Sequence, residues 1–246
     1  MSKKFKLGVV GNPIEHSLSP FIHSRFSRNE NVNINYLAYK VNNDDFDIFI
    51  KEFFQDKEAR GLNITLPHKK RAASLEGRIS QEAQYINAVN TIFNDNDDLH
   101  LFSTDGAGFI KDIENKKFNL KNKNILIIGA GAAVESILYR VAIAKPMKIT
   151  IINRTIEKAD RLIRKFGNMT KIKSEVDTDK PFDLVINGSS AGLTGDFFPE
   201  ENIPLTSKTY FYDLNYSLTE TPFCKWAKEK ADNVHDGMGM LVYQAA

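Results

Sequence analysis

Cysteine is almost missing from this chain: Cys224 stands alone among 246 residues. One thiol cannot close an intrachain disulfide, so no disulfide framework is expected and a reducing compartment is. Cys224 lies in Pro222-Phe223-Cys224-Lys225-Trp226, which reads as an amphipathic helix with the thiol packed inside. Long apolar runs are missing too. No stretch approaches the roughly 18 residues of a membrane span. The start, Met1-Ser2-Lys3-Lys4-Phe5, leads straight into a strand-like run and lacks the apolar segment of a secretory signal. Charge of one sign is also scarce: 33 Lys and Arg oppose 31 Asp and Glu, a net +2. With no basic block, a dedicated nucleic-acid partner is not expected. The histidines His16, His23, His68, His100 and His235 show no metal-ligand spacing, so no metal site is expected. Asp95-Asn96-Asp97-Asp98 lacks the glycine and glutamate of a calcium loop and reads as a hairpin turn. These absences leave a cytoplasmic protein with no membrane contact. Its length suits one large or two modest domains.

What is present is an alternation of strand and helix patterns, which implies mainly parallel sheets. In the first part, strands are expected at 5–10, 36–41 and from Gly61, with helices at 20–29, 44–54 and from Pro67. A hairpin is expected over 89–103. A polar stretch, 114–124, precedes a second series. There, strands are expected at 124–128, 147–153, 182–187 and 209–214, and helices at 132–144 and 155–166. The fold class is therefore α/β with two α/β domains: an N-terminal substrate domain with a mainly parallel sheet, and a Rossmann-like dinucleotide-binding domain. The boundaries are 1–104, joined by a returning segment 237–246, and 105–236.

The strand 125–128 runs into Gly129-Ala130-Gly131-Ala132-Ala133-Val134. Glycines let a backbone turn tightly against a pyrophosphate, and the helix that follows offers free N–H groups. The third fingerprint position is Val134 instead of Gly or Ala. The next strand ends in Asn153-Arg154-Thr155, with Lys158 one turn on. A carboxylate there would hold a ribose 2′-hydroxyl, whereas an arginine pairs with a 2′-phosphate. The predicted cofactor is therefore NADP.

The substrate side draws on other residues. Ser17 and Ser19 lie just before a helix opened by Pro20, where hydroxyls can hold a carboxylate or Ser19 can cap the helix. Asn63, Thr65, Asn90 and Asp105 fall at probable strand ends or turns, where ligands bind in open α/β sheets. Pro67 stops one strand and opens a helix, which puts Lys69 on a first turn whose dipole disfavours a cation. Such a lysine is a candidate proton donor, and Asp105 is a candidate to orient it.

The chain resembles shikimate dehydrogenase over essentially its whole length. The resemblance rests on residues 11–20, Asn63 to Lys69, residues 87–91, Thr104-Asp105-Gly106, the Gly129 turn and Asn153-Arg154-Thr155. It continues through Asn187-Gly188-Ser189-Ser190-Ala191-Gly192 and Asp236-Gly237-Met238-Gly239-Met240-Leu241. It implies NADPH-dependent reduction of 3-dehydroshikimate to shikimate in aromatic amino-acid (chorismate) biosynthesis, by a monomer or homodimer. It further implies Lys69 and Asp105 as the catalytic pair, and Ser17 and Ser19 on the substrate carboxylate. Thr65, Asn90 and Gln244 would hold substrate hydroxyls, with Tyr216 near the carboxylate. Gly129, Gly131, Ala132 and Ala133 would lie under the pyrophosphate, Asn153, Arg154 and Thr155 at the ribose phosphate, and Gly237 and Met240 at the nicotinamide. Ser103 stands where the family has Asn, Ala132 where a third glycine is common, and His68 where Phe or Tyr is usual. The resemblance also implies a long amphipathic helix after Ala246, where this sequence stops. Alternatives are a quinate/shikimate dehydrogenase using both cofactors, a non-catalytic NADP-binding regulatory protein, and an unrelated NADP enzyme on the same plan.

Overall fold

A computed structural model describes residues 4–177, 180–190, 197 and 203–246. The chain divides into two compact units, 1–104 with 245–246, and 105–244. The first contains β1 (Phe5–Gly11), α1 (Ser19–Asn29), β2 (Ile34–Lys40), α2 (Phe46–Gln55), β3 (Ala59–Ile64), α3 (Lys69–Ala72), β4 (Arg78–Ile79), α4 (Gln81–Ile86), β5 (Thr91–Asp95) and β6 (Asp98–Phe102). Its sheet has the order β2-β1-β3-β5-β6-β4. β1 pairs parallel with β2 and β3, while β5 pairs antiparallel with β3 on one side and with β6 on the other. The core explains the pairing. Phe46, Ile50 and Phe53 recur at helical spacing on α2 and are buried against Val10, Leu62 and Ile64 of the sheet. A large apolar side chain so buried contributes about 1.5 to 3 kcal/mol.

The second unit contains α5 (Asp105–Asn115), β7 (Asn124–Ile128), α6 (Ala132–Ile143), β8 (Lys148–Ile152), α7 (Ile156–Phe166), β9 (Ile172–Lys173), β10 (Leu184–Asn187), β11 (Tyr210–Asp213), α8 (Pro222–Lys228), β12 (Val234–His235) and α9 (Met238–Ala245). Every pairing in its sheet, β12-β11-β10-β7-β8-β9, is parallel. Ile125, Leu126 and Ile127 are fully buried, as a strand covered on both faces requires. The expected return of 237–246 to the first unit is confined to Ala245 and Ala246. The reason is the close approach of α9 to α5. A Cβ on Gly108 would lie 2.7 Å from the Gln244 nitrogen, and one on Gly239 2.0 Å from Asp112 Oδ1. Of the family motif at 187–192, Ala191 and Gly192 fall outside the described residues, as do Met1, Ser2 and Lys3 at the start.

Candidate active site

In the first unit, the ends of β1, β3, β5 and β6 carry a run of hydrogen-bonded neutral groups. Ser17 Oγ accepts the Ser19 N–H at 3.3 Å. The N-cap of α1 is Leu18 and no side chain caps the helix, so the capping expected of Ser19 is absent and Ser17 takes the nearby N–H instead. Ser19 is buried, and its hydroxyl donates to that of Tyr36. The Tyr36 hydroxyl donates to Asn63 Oδ1 at 2.7 Å, and Asn63 Nδ2 donates to Thr91 Oγ1 at 3.2 Å. Thr91 Oγ1 donates to Asn90 Oδ1 at 3.0 Å. Asn90 Nδ2 donates to Thr104 Oγ1 at 3.0 Å, and the Thr104 N–H returns to Asn90 Oδ1 at 2.9 Å. The chain thus links Ser19 to Thr104, the residue before Asp105. Tyr36 and its bond to Asn63 were not read from sequence. The two residues are 27 positions apart, and no local pattern signals that meeting.

The network carries no charge near neutral pH. Burial lowers the His23 imidazole from 6.5 to about 4, against the opposing effect of a hydrogen bond to Asn63. Burial also raises the Tyr36 phenol. The His23 ring stacks on Tyr36 at 4.1 Å between centroids. Hydroxyls and amides of this kind suit a small hydroxylated ligand.

Thr65 follows β3 directly, its N–H donating to the Val10 carbonyl at 2.9 Å. Lys69 opens α3 and is half-buried. Its carbonyl accepts the Val89 N–H at 2.9 Å, which ties it to the neighbour of Asn90. The helix expected from Pro67 is a single turn of 4 residues. One turn has few aligned peptides and little macrodipole, so the dipole argument for Lys69 does not apply. Asp105 is buried in the first turn of α5.

In the second unit, the turn between β7 and α6 is built for close approach. Gly129 has φ +108°, and a Cβ there would lie 2.8 Å from the Gly188 carbonyl carbon. Gly131 is the N-cap of α6 in an extended conformation that any residue can adopt. A Cβ there would meet nothing nearer than the Gly188 oxygen at 4.0 Å. Its glycine therefore leaves open space beside the exposed Ala132 and Ala133 and the N-terminus of a 12-residue helix. That cradle fits a pyrophosphate. Val134 is tolerated at the third fingerprint position because the room is made at Gly188, just past the end of the neighbouring strand β10. A Cβ on Gly188 would lie 2.3 Å from Val134 Cγ2. Asn153 uses both ends of its amide internally. Its Oδ1 accepts the Ala130 N–H at 3.0 Å and its Nδ2 donates to the Thr155 carbonyl at 2.7 Å. Arg154, Thr155 and Lys158 are exposed.

A second polar centre in this unit escaped the sequence reading. Buried Asp213 accepts from Asn187 Nδ2 at 2.9 Å, from the Asn215 N–H and side chain, and from Thr221 Oγ1 at 2.6 Å. Burial raises its carboxyl despite these donors. Asn215 also accepts the Gly237 N–H through its carbonyl at 2.9 Å. A Cβ on Gly237 would lie 2.5 Å from the Leu214 carbonyl oxygen. The centre so fixes the entry to α9, which bears Met240 and Gln244. The Met240 N–H bonds the Tyr212 hydroxyl, and Gln244 Nε2 donates to the Leu241 carbonyl at 3.0 Å. Tyr216 lies exposed in the turn after β11. Among the described residues, no group of three or more His, Cys, Asp or Glu is arranged around a metal position. No helix in them is long and apolar enough to cross a membrane.

A parallel sheet with a glycine turn at a helix N-terminus marks a dinucleotide-binding α/β protein. Residues 9–92 match the shikimate dehydrogenase substrate binding domain, and residues 112–193 the shikimate / quinate 5-dehydrogenase family. The chain is 39% identical to the shikimate dehydrogenase (NADP(+)) of Hahella chejuensis over 97% of its own length and 89% of the relative's. It is 40% identical to the enzyme of that name from Legionella pneumophila strain Lens, over 98% and 90%. Shikimate 5-dehydrogenase from Thermus thermophilus, solved with NADP(H) and shikimate, superposes with a TM-score of 0.85 at 29% identity, over 98% of this chain and 90% of that one. This chain belongs to the shikimate dehydrogenase family.

Proposed function

We propose that the chain is an NADP-dependent shikimate dehydrogenase that reduces 3-dehydroshikimate to shikimate in the cytoplasm. The observation that carries this reading is the near-full-length match to relatives named for that activity and cofactor. The open cradle at Gly131 supports it, as does the uncharged hydroxyl and amide network from Ser19 to Thr104. NADPH, when bound, supplies the hydride. Lys69 gives a proton to the substrate's carbonyl oxygen as it becomes a hydroxyl, and Asp105 orients that lysine. Ser17 and Ser19 hold the carboxylate, with Tyr216 near it, and Thr65, Asn90 and Gln244 bind the hydroxyls. Gly129, Gly131, Ala132 and Ala133 receive the pyrophosphate, with Asn153 shaping the turn from behind. Arg154, Thr155 and Lys158 meet the 2′-phosphate, and Gly237 and Met240 the nicotinamide. In the domain assignment that goes with this reading, residues 1–104 bind substrate and the unit that follows binds the dinucleotide.

The test is spectrophotometric oxidation of shikimate and quinate, each with NADP and with NAD. Shikimate with NADP should have the highest kcat/KM of the four combinations. Faster turnover of quinate, or an equal rate with NAD, would replace this reading with that of a dual-specificity enzyme. No turnover in any combination would remove the catalytic reading.

A further inference from the structure

A helix of four residues cannot hold its own shape in water, because nucleation is costly and too few bonds follow it. The turn α3, which opens with Lys69, has no side-chain cap either. Support from outside must fix it. The Val89 N–H reaches the Lys69 carbonyl. On the exposed side, Arg71 grips the Asp47 carboxylate at 3.0 and 2.8 Å, a surface pair of small worth. On the buried side stands His68, with 0% of its surface exposed.

The His68 ring stacks on Phe46 at 4.7 Å and 16°. Its Nε2 lies 2.8 Å from the Val41 carbonyl oxygen. A carbonyl only accepts, so Nε2 carries the proton. Nδ1 is then a buried acceptor, and it has no hydrogen-bond partner. Leaving it unmet costs free energy. A phenylalanine would stack on Phe46 without that cost, so stacking alone does not account for a histidine here. The bond to Val41 does. The Val41 N–H donates to the Gly11 carbonyl at 3.2 Å, and the Asn12 N–H donates to the Leu66 carbonyl at 2.9 Å. The ring therefore couples the Lys69 turn to the loop that leads to Ser17 and Ser19.

We propose that His68 is a positioning residue, whose bond to the Val41 carbonyl sets the place of Lys69 for proton transfer. This rests on the reading of Lys69 as the proton donor. His68→Phe keeps the stack and removes the bond. Small misplacements of a reacting group cost large rate factors, so kcat for shikimate oxidation should fall about tenfold. KM should change much less than kcat, since Ser17 and Thr65 keep hydrogen bonds that do not involve His68. His68→Gln restores a donor and should return kcat to within about threefold of the parent. Should the phenylalanine variant not fold, His68→Met, which also lacks a donor, carries the same expectation. An unchanged kcat without the donor overturns the proposal, and so does an equal loss in His68→Gln. A parent that does not turn over shikimate sinks the functional reading but leaves a second readout. Labelling of Lys69 by an amine reagent, read by peptide mass spectrometry, should change at least about threefold in the donor-less variant while exposed Lys70 stays constant. Unchanged labelling of Lys69 overturns the positioning role.

Discussion

At the scale of single residues, Lys69 and Arg154 test different halves of the proposed chemistry. A positioned proton donor contributes roughly 10²- to 10⁴-fold in rate. Lys69→Ala should therefore lower kcat by at least about a hundredfold and move shikimate affinity much less, because the proposed binding groups are hydroxyls and amides. Steady-state kinetics decide it, and a kcat within a few-fold of the parent would remove Lys69 from the chemistry. Arg154 is exposed at the end of β8, free of the internal bonds that occupy Asn153. A charge-assisted hydrogen bond is worth about 1.5 to 3 kcal/mol. Arg154→Ala should accordingly raise KM for NADP by roughly ten- to a hundredfold and leave KM for NAD nearly unchanged. Equal losses for both cofactors would mean that the guanidinium does not read the 2′-phosphate.

At the scale of elements, the two glycines of the β7–α6 turn should behave oppositely. Gly129 needs a positive φ and abuts the Gly188 backbone. Gly129→Ala should therefore destabilise the fold by more than about 1 kcal/mol. Gly131 has ordinary angles and open space around its missing Cβ. Gly131→Ala should leave the melting temperature within about a degree or two, as surface changes usually do, while weakening NADP binding, since the methyl enters the phosphate cradle. Calorimetry of the free protein and titration with NADP separate the two. A stable Gly131→Ala variant that binds NADP as the parent does would argue against the cradle. This turn was legible in the sequence because strand, glycines and helix are contiguous. Strand β7 was legible from its apolar run Ile125 to Ile128, and β8 from its β-branched run Ile149 to Ile152. The strands β4, β9 and β12 were not, because two residues leave no periodicity. α4 left a signal that went unused: Ser80 caps it through the Ala83 N–H, with Glu82 in the first turn. The site followed the same rule. Ser17, Lys69 and Asn90 stand at the ends of readable elements. Tyr36, His68 and Asp213 each bond to a residue distant in sequence, Asn63, Val41 and Asn187, which only the fold brings together.

At the scale of the whole molecule, half-buried histidines make stability depend on pH. In the unfolded chain, His23 titrates near 6.5; in the fold, burial brings it to about 4. His235 in the second unit is also lowered, by burial first and then by Lys116. Below pH 6.5 the unfolded chain therefore takes up protons that the folded chain refuses. Stability is present above that pH and is lost as pH falls toward about 4, where His23 finally titrates in the fold. The opposite sign comes from Asp213, whose raised carboxyl favours the fold at lower pH. The His23 shift corresponds to about 1 to 3 kcal/mol across this window. The melting temperature should fall on acidification from pH 7 to 4.5. His23→Phe, which keeps a ring against Tyr36 and cannot titrate, should reduce the slope. A parent whose melting temperature is flat over this range, or a variant with the parent's slope, would show that His23 is protonated in the fold as readily as in the open chain. The same variant checks the substrate side. If the neutral ring only supports Tyr36, then His23→Phe should keep KM for shikimate within about twofold at pH 7 and lose only the His23 part of the pH dependence of stability.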